Sequence, residues 1–241
     1  MFNLAISLAL CLVSTVVLVQ LAGLDLWLAS LIALVLFTVC YLLLTRAVMK
    51  KVANLMESAQ RDLQGGRVDK AVKTLESGYR FANWQFYVKG QINSQIGTLL
   101  YLKRDFAKAF DYLQKGFVRH WVGMAMLAIC YMKRNQTTKM VETFEKAVAA
   151  NKKEALLWAL YAYCLEKVGD KEKAEQILEK GLKKAGADER LSANLEALKE
   201  GRRMKMRAFG DLWYQFHLEK PGAVVKEQTR AVMGRRKIVR R

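Results

Sequence analysis

The stretch EALLWALYAYCLEKVGDKEKAEQILEKGLKKAG, residues 154–186, decides the fold. Trp158, Tyr161, Ala162 and Leu165 fall at i, i+3, i+4 and i+7, so they share one face of a helix. Gly169 makes a turn, and Ala174, Leu178 and Gly181 follow at i, i+4 and i+7 on a second helix. One small residue among bulky ones lets the second helix approach closely. A single hairpin of this kind cannot bury its own apolar face, so it needs copies.

The copies register on the small residue that opens the second helix. Counting back 34 residues from Ala174 reaches Met140, 31 more reaches Ala109, with Leu113 and Gly116 after it, and 38 more reaches Ala71, with Leu75 and Gly78. The matching first helices carry Met124, Leu127, Ala128 and Tyr131, then Ile96, Gly97 and Leu100, then Leu55, Ser58, Ala59 and Asp62. In this spacing and in a period of about 34 residues, the run 51–186 resembles the tetratricopeptide repeat. The likeness is closest in the last repeat and loosest in the first two. The proline that usually closes the family's repeats is missing from all four, and the 31- and 38-residue steps imply loops of unequal length. The resemblance implies an all-α fold: over residues 46–187, a tetratricopeptide-like α-solenoid of about four helix pairs, closed by a C-terminal capping helix.

The chain of 241 residues has room for one such domain plus an anchor, and a mean hydropathy near zero hides two unlike parts. Residues 1–45 hold one charged side chain, Asp25. Beyond them lie all 40 Lys and Arg against 21 acids, a balance of about +19 that suits anionic lipid, nucleic acid or acidic protein without choosing among them. The cysteines, Cys11, Cys40, Cys130 and Cys164, form no C-x-x-C pair and read as reduced, buried thiols.

Two apolar runs, Leu4 to Leu21 and Trp27 to Leu44, flank a short turn containing Asp25. Each spans about 27 Å as a helix, close to the hydrocarbon thickness of a bilayer. They predict an N-terminal transmembrane helical hairpin over residues 1–45; a cleaved signal peptide lacks its basic leader here. Arg46, Lys50 and Lys51 follow the second run while the turn has no Lys or Arg, which places both ends in the cytoplasm. Asn135-Gln136-Thr137 matches a glycosylation sequon, which a cytoplasmic loop would leave unmodified.

After the repeats, residues 188–220 hold a capping helix with Asp188 as its N-cap, then an amphipathic aromatic helix carrying Phe209, Leu212, Trp213 and Phe216. That aromatic stripe has three readings: it docks on the domain's own groove, lies in the membrane interface, or binds another protein. Residues 221–241 form a basic tail with Arg235, Arg236, Lys237, Arg240 and Arg241.

Motifs for catalysis are absent from the sequence. There are two histidines, His120 and His217, with no H-E-x-x-H, phosphate-binding glycine loop or G-x-S-x-G, so neither enzyme chemistry nor a cofactor or metal is expected. Some tetratricopeptide domains grip a C-terminal carboxylate with Lys, Asn and Arg on the first helices. At the corresponding places this chain has Met56, Gln60, Gln95, Val122 and Met126, so that charged clamp is not expected. Val122, Met126, Ile129, Met132, Leu156, Leu160 and Tyr163 are expected to line an apolar groove suited to an amphipathic helix, unless the same residues are simply core. The expectation is a membrane-anchored scaffold that binds a protein partner on the cytoplasmic side, in the layout of bacterial inner-membrane proteins. The alternative is a membrane-tethered nucleic-acid or ribosome binder acting through the basic tail.

Overall fold

The computed structural model describes residues 1–219, and among these there is no strand. The tail residues Arg235, Arg236, Lys237, Arg240 and Arg241 lie outside the described residues. The chain divides into two compact units, Met1–Gly123 and Met124–Arg241.

The first unit opens with α1 (Phe2–Gln20), which packs on α2 (Leu26–Gln64) across a turn in which Gly23 has a positive φ of 62°. Both are long and apolar enough to cross a membrane, and most of their apolar side chains, Leu8, Leu12, Leu34 and Leu42 among them, are exposed. The faces that close are small or polar: Asn3 and Ser7 on α1, Ala29 and Ala33 on α2. No break separates the apolar part of α2 from its charged part; one helix of 39 residues runs from the turn into the first repeat. Within that repeat α2 packs on α3 (Val68–Glu76), and α4 (Val88–Leu102) on α5 (Phe106–Leu113) forms the next. Asp62, buried at a slot that holds Leu165 in the last repeat, accepts from Arg67 at 3.0 Å and meets Lys70 at 3.2 Å. Burial alone would raise its pKa, but the hydrogen bonds from Lys70 and Arg67 outweigh it and hold the carboxyl below the usual range.

The helix α6 (Trp121–Lys133) begins in the first unit, where the Nδ1 of His120 accepts from the Gly123 N–H at 3.0 Å and so caps it. Burial lowers the His120 pKa and favours the neutral ring that this acceptor role requires. In the second unit follow α7 (Thr137–Ala150), α8 (Ala155–Val168), α9 (Lys171–Ala185) and α10 (Glu189–Lys199). The rings of Phe144 and Tyr161 stack at 5.0 Å, and both are fully buried. Trp158 donates its indole N–H to the Lys152 carbonyl at 2.9 Å, so this large core ring leaves no donor unpaired.

One turn recurs between the paired helices of all four repeats. A residue in the left-handed region, Gly66, Arg104, Asn135 or Gly169, is followed by one whose N–H reaches the carbonyl five residues back: Arg67 to Asp62, Asp105 to Leu100, Gln136 to Tyr131, Asp170 to Leu165. This bond satisfies a carbonyl that the end of a helix would otherwise leave bare. Gly201 and the Arg202 to Ala197 bond repeat the turn after α10. The capping helix thus ends in the same turn as the first helices of the repeats. A different structure, a 3-10 turn (Met206–Phe209) and the short α11 (Asp211–Tyr214), stands where a second helix would begin.

The second-helix slots are buried as the pattern requires: Ala71 and Leu75, Ala109 and Leu113, Met140 and Phe144, Ala174 and Leu178. Ala162 is fully buried on α8, while Lys171 is exposed at the start of α9. Ala162→Leu should lower unfolding stability by about 1–3 kcal/mol through overpacking. Lys171→Leu should leave it nearly unchanged, and thermal unfolding of the two variants side by side measures the difference.

Candidate functional site

The helices expected to line a groove are apolar almost all round. Along α8 the run from Leu156 to Ala162 is buried without a gap, so no polar stripe marks an outer face. Met126, Ile129, Leu156 and Leu160 are closed off from solvent, whereas Val122, Met132 and Tyr163 are half-buried and keep accessible surface. Met56, Gln60 and Gln95, at the places of the family's clamp, line a cavity of about 120 Å³ in the first unit.

In the second unit α8 meets the aromatic segment. Tyr163 packs edge-on against Trp213 with ring centroids 5.0 Å apart, and Trp213 is 1% exposed. Phe209 and Phe216 are buried too, but Leu212 is 55% exposed, so the stripe is three residues wide rather than four. The single amphipathic helix expected over this segment is broken. Gly210, at φ 65° and ψ −146°, occupies backbone space that only glycine enters readily, and it separates the 3-10 turn from α11. The break turns Phe209 toward the guanidinium of Arg190, 4.6 Å from the ring centroid.

Polar residues that the hydrophobic pattern does not reveal hold the segment in place. Asn194, buried on the face of α10 that carries Leu191 and Leu198, accepts from the Lys205 N–H at 2.6 Å. Glu219 accepts from the Trp213 indole at 3.0 Å and pairs with Arg207, also at 3.0 Å. Burial would raise the Glu219 pKa, but the hydrogen bonds from Arg207 and Trp213 outweigh it and hold the group below the ordinary glutamate range. Burial, reinforced by neighbouring negative groups, pushes the Tyr163 phenol up to about 12, so it stays neutral and serves as a packing surface. A lone polar residue on an apolar helix face, as at Asn194, is the one sequence signal that marks this contact.

The cysteines Cys130 and Cys164 are buried and free. Burial pushes the Cys130 thiol up to about 11 and that of Cys164 higher, which makes both poor nucleophiles. His217 sits at a left-handed turn beside the aromatic segment, and no group of three or more His, Cys, Asp or Glu among the described residues could hold a metal ion.

Because Glu219 has a depressed pKa, its contribution to docking is complete above the ordinary glutamate range and is lost as pH falls through the lowered value. In a variant whose only tryptophan is Trp213, emission should be blue-shifted at neutral pH and should redden in acid. Glu219→Ala, which removes both partners' bonds, should redden it more than Glu219→Gln, which keeps an acceptor for the indole.

A family profile described as tetratricopeptide repeat matches residues 123–154 and 155–183. Among solved structures the chain is similar to "MamA 41-end from Desulfovibrio magneticus RS-1" at 16% identity and TM-score 0.47, covering 70% of this chain and 97% of that one. The "MamA RS-1 ArsTM double mutant" is similar at 16% identity and TM-score 0.47, covering 69% of this chain and 94% of that one. No curated protein matches the sequence. The family match over 123–183, with the same closing turn recurring in register, identifies that stretch as tetratricopeptide repeats.

Proposed function

We propose that this protein is a membrane-anchored, non-enzymatic scaffold that holds a protein partner near the bilayer through its last repeats. The observation that carries the anchor is the exposure of apolar side chains around α1 and the first half of α2, joined without a break to the first repeat. Such a surface is an aggregation liability in water and a match for lipid. Protein binding is the role that tetratricopeptide repeats support, and the proposed binding edge takes Met132, Tyr163 and Leu212, which keep accessible surface. Met126, Ile129, Leu156 and Leu160 are buried on the same two helices that carry Met132 and Tyr163. A partner helix would lie along that edge, with methionine adapting to its side chains.

Reporter fusions at Gly23 and after Lys51 should fall on opposite sides of the membrane, the latter in the cytoplasm of a bacterial host. A photo-crosslinking residue at Met132 or Leu212 should capture the same protein from native membranes, and one at Lys171 should not. Fusions on one side would end the anchor, and equal capture at all three positions would end the binding edge.

The basic composition of residues 222–241 supports a second reading, tethered binding of nucleic acid or anionic lipid. Deleting these residues should reduce retention on RNA or anionic vesicles at low salt while leaving helical content unchanged. Retention by the intact chain that does not fall with salt would remove this reading.

A further inference from the structure

The connection between the first two repeats lies at the mouth of the membrane hairpin, although more than 30 residues separate it from the end of the second apolar run. The Met1 amine and the Phe2 N–H both donate to the Asn83 carbonyl, and the Asn3 N–H donates to that of Trp84 at 3.3 Å. Gln85 accepts from Asn3 and from Thr45, each at 3.2 Å. The ring of Phe2 stands edge-on to Trp84 at 5.5 Å. The connection thus caps the first turn of α1 and is level with Thr45, the residue after the second apolar run and before Arg46.

At that level it exposes aromatic surface. Trp84 is 37%, Phe86 41% and Tyr87 67% exposed, and Tyr87 is held at a positive φ of 68°, a backbone region that a bulky residue enters only when its surroundings impose it. At the start of the connection, Phe81 borders a pocket of about 640 Å³ lined also by Lys51, Asn54, Ser58, Thr74 and Arg80, with no carboxylate among the lining residues. The Arg80 guanidinium lies 4.7 Å from the centre of the Phe81 ring. Along α2, Lys51 is six residues past Thr45, about 9 Å of helix rise, and a lysine stem reaches several ångströms back. The headgroup layer is about 5–8 Å deep on each face of a bilayer. Aromatic rings at that depth, with cations and hydroxyls just outside them, match the chemistry of a phospholipid headgroup.

We propose that residues 81–87 form a third membrane contact, seated in the headgroup layer, and that the adjoining pocket receives the phosphate of an anionic phospholipid. This rests on the anchor reading and adds to it a site with lipid selectivity. The first repeat is then held at the bilayer by three points rather than one helix, and its tilt is set by the lipid.

The full-length chain, reconstituted in nanodiscs, tests both parts. A bimane probe at Phe86→Cys should be quenched several-fold more by headgroup-level nitroxide lipid than the same probe at Asp111→Cys on α5. In native mass spectrometry of the detergent-purified chain, phosphatidylglycerol should be retained over phosphatidylcholine, and Lys51→Glu with Arg80→Glu should abolish the preference. Inorganic phosphate at millimolar concentration should leave that preference intact; displacement of the lipid by phosphate would assign the pocket to a soluble anion and overturn the lipid site. Equal quenching at positions 86 and 111 in a protein that resists alkaline extraction would overturn the proposal and leave the anchor standing. Extraction by alkali would overturn both.

Discussion

The first helix of each repeat carries one small, buried residue at a common slot, and at Gly97 the second helix comes so close that no side chain fits. Ala59, Gly97, Ala128 and Ala162 occupy it in turn, and all are buried. At Gly97 a methyl group would come within 2.7 Å of the Leu113 side chain and 3.1 Å of its backbone nitrogen, so there even alanine is too large. Across each pair the second helix answers with its own small or tightly fitted residue: Gly181 lies so close to Trp158 that an added Cβ would come to 2.9 Å. Packing at this distance fixes the register of the two helices, because sliding either one would drive a bulky residue into the slot. The rest of the repeat, including the placement of Phe144 over Tyr161, depends on that register.

The turn that closes each first helix converts this contact into a repeat. It needs one residue at positive φ, which glycine supplies at Gly66 and Gly169 without strain. Arg104 and Asn135 adopt the same conformation in the middle repeats at some cost, more for arginine than for asparagine, because the backbone bond five residues back and the packed helices on both sides leave no alternative. Aspartates then cap the second helices at Asp105 and Asp170 by accepting from the N–H of Lys108 and of Lys173. Local chemistry and tertiary packing thus agree at nearly every turn, which is the consistency expected of a chain with one dominant fold.

How the molecule meets its surroundings follows from α2. A helix of 39 residues is about 58 Å long, enough to cross a bilayer and still provide a full repeat helix beyond it. With no flexible linker between them, the orientation of the first repeat is coupled to that of the apolar half of α2. The contacts between the connection at residues 82–85 and the first turn of α1 add a second coupling.

Short-range information in the sequence determined the helix pairs, the small slots, the four turns, the two apolar runs and the cap at Asp188, because periods of 3.6 residues, glycines and capping residues act within a few positions of one another. The two halves of the surface question were decided elsewhere. Little along α8 separates the roles of Leu160 and Tyr163; only the arrival of Trp213, 50 residues beyond Tyr163, gives the latter a ring to pack against. The helical spacing of Phe209 to Phe216 concealed a break at Gly210, because the polar anchors at Asn194 and Glu219 and the left-handed glycine favour a bent path over a continuous helix. The connection bearing Trp84 and Tyr87 carries no local sign of where it lies. Its place beside Met1 and Thr45 is set by hydrogen bonds across 40 to 82 residues, and bonds of that range exist only once the chain has folded.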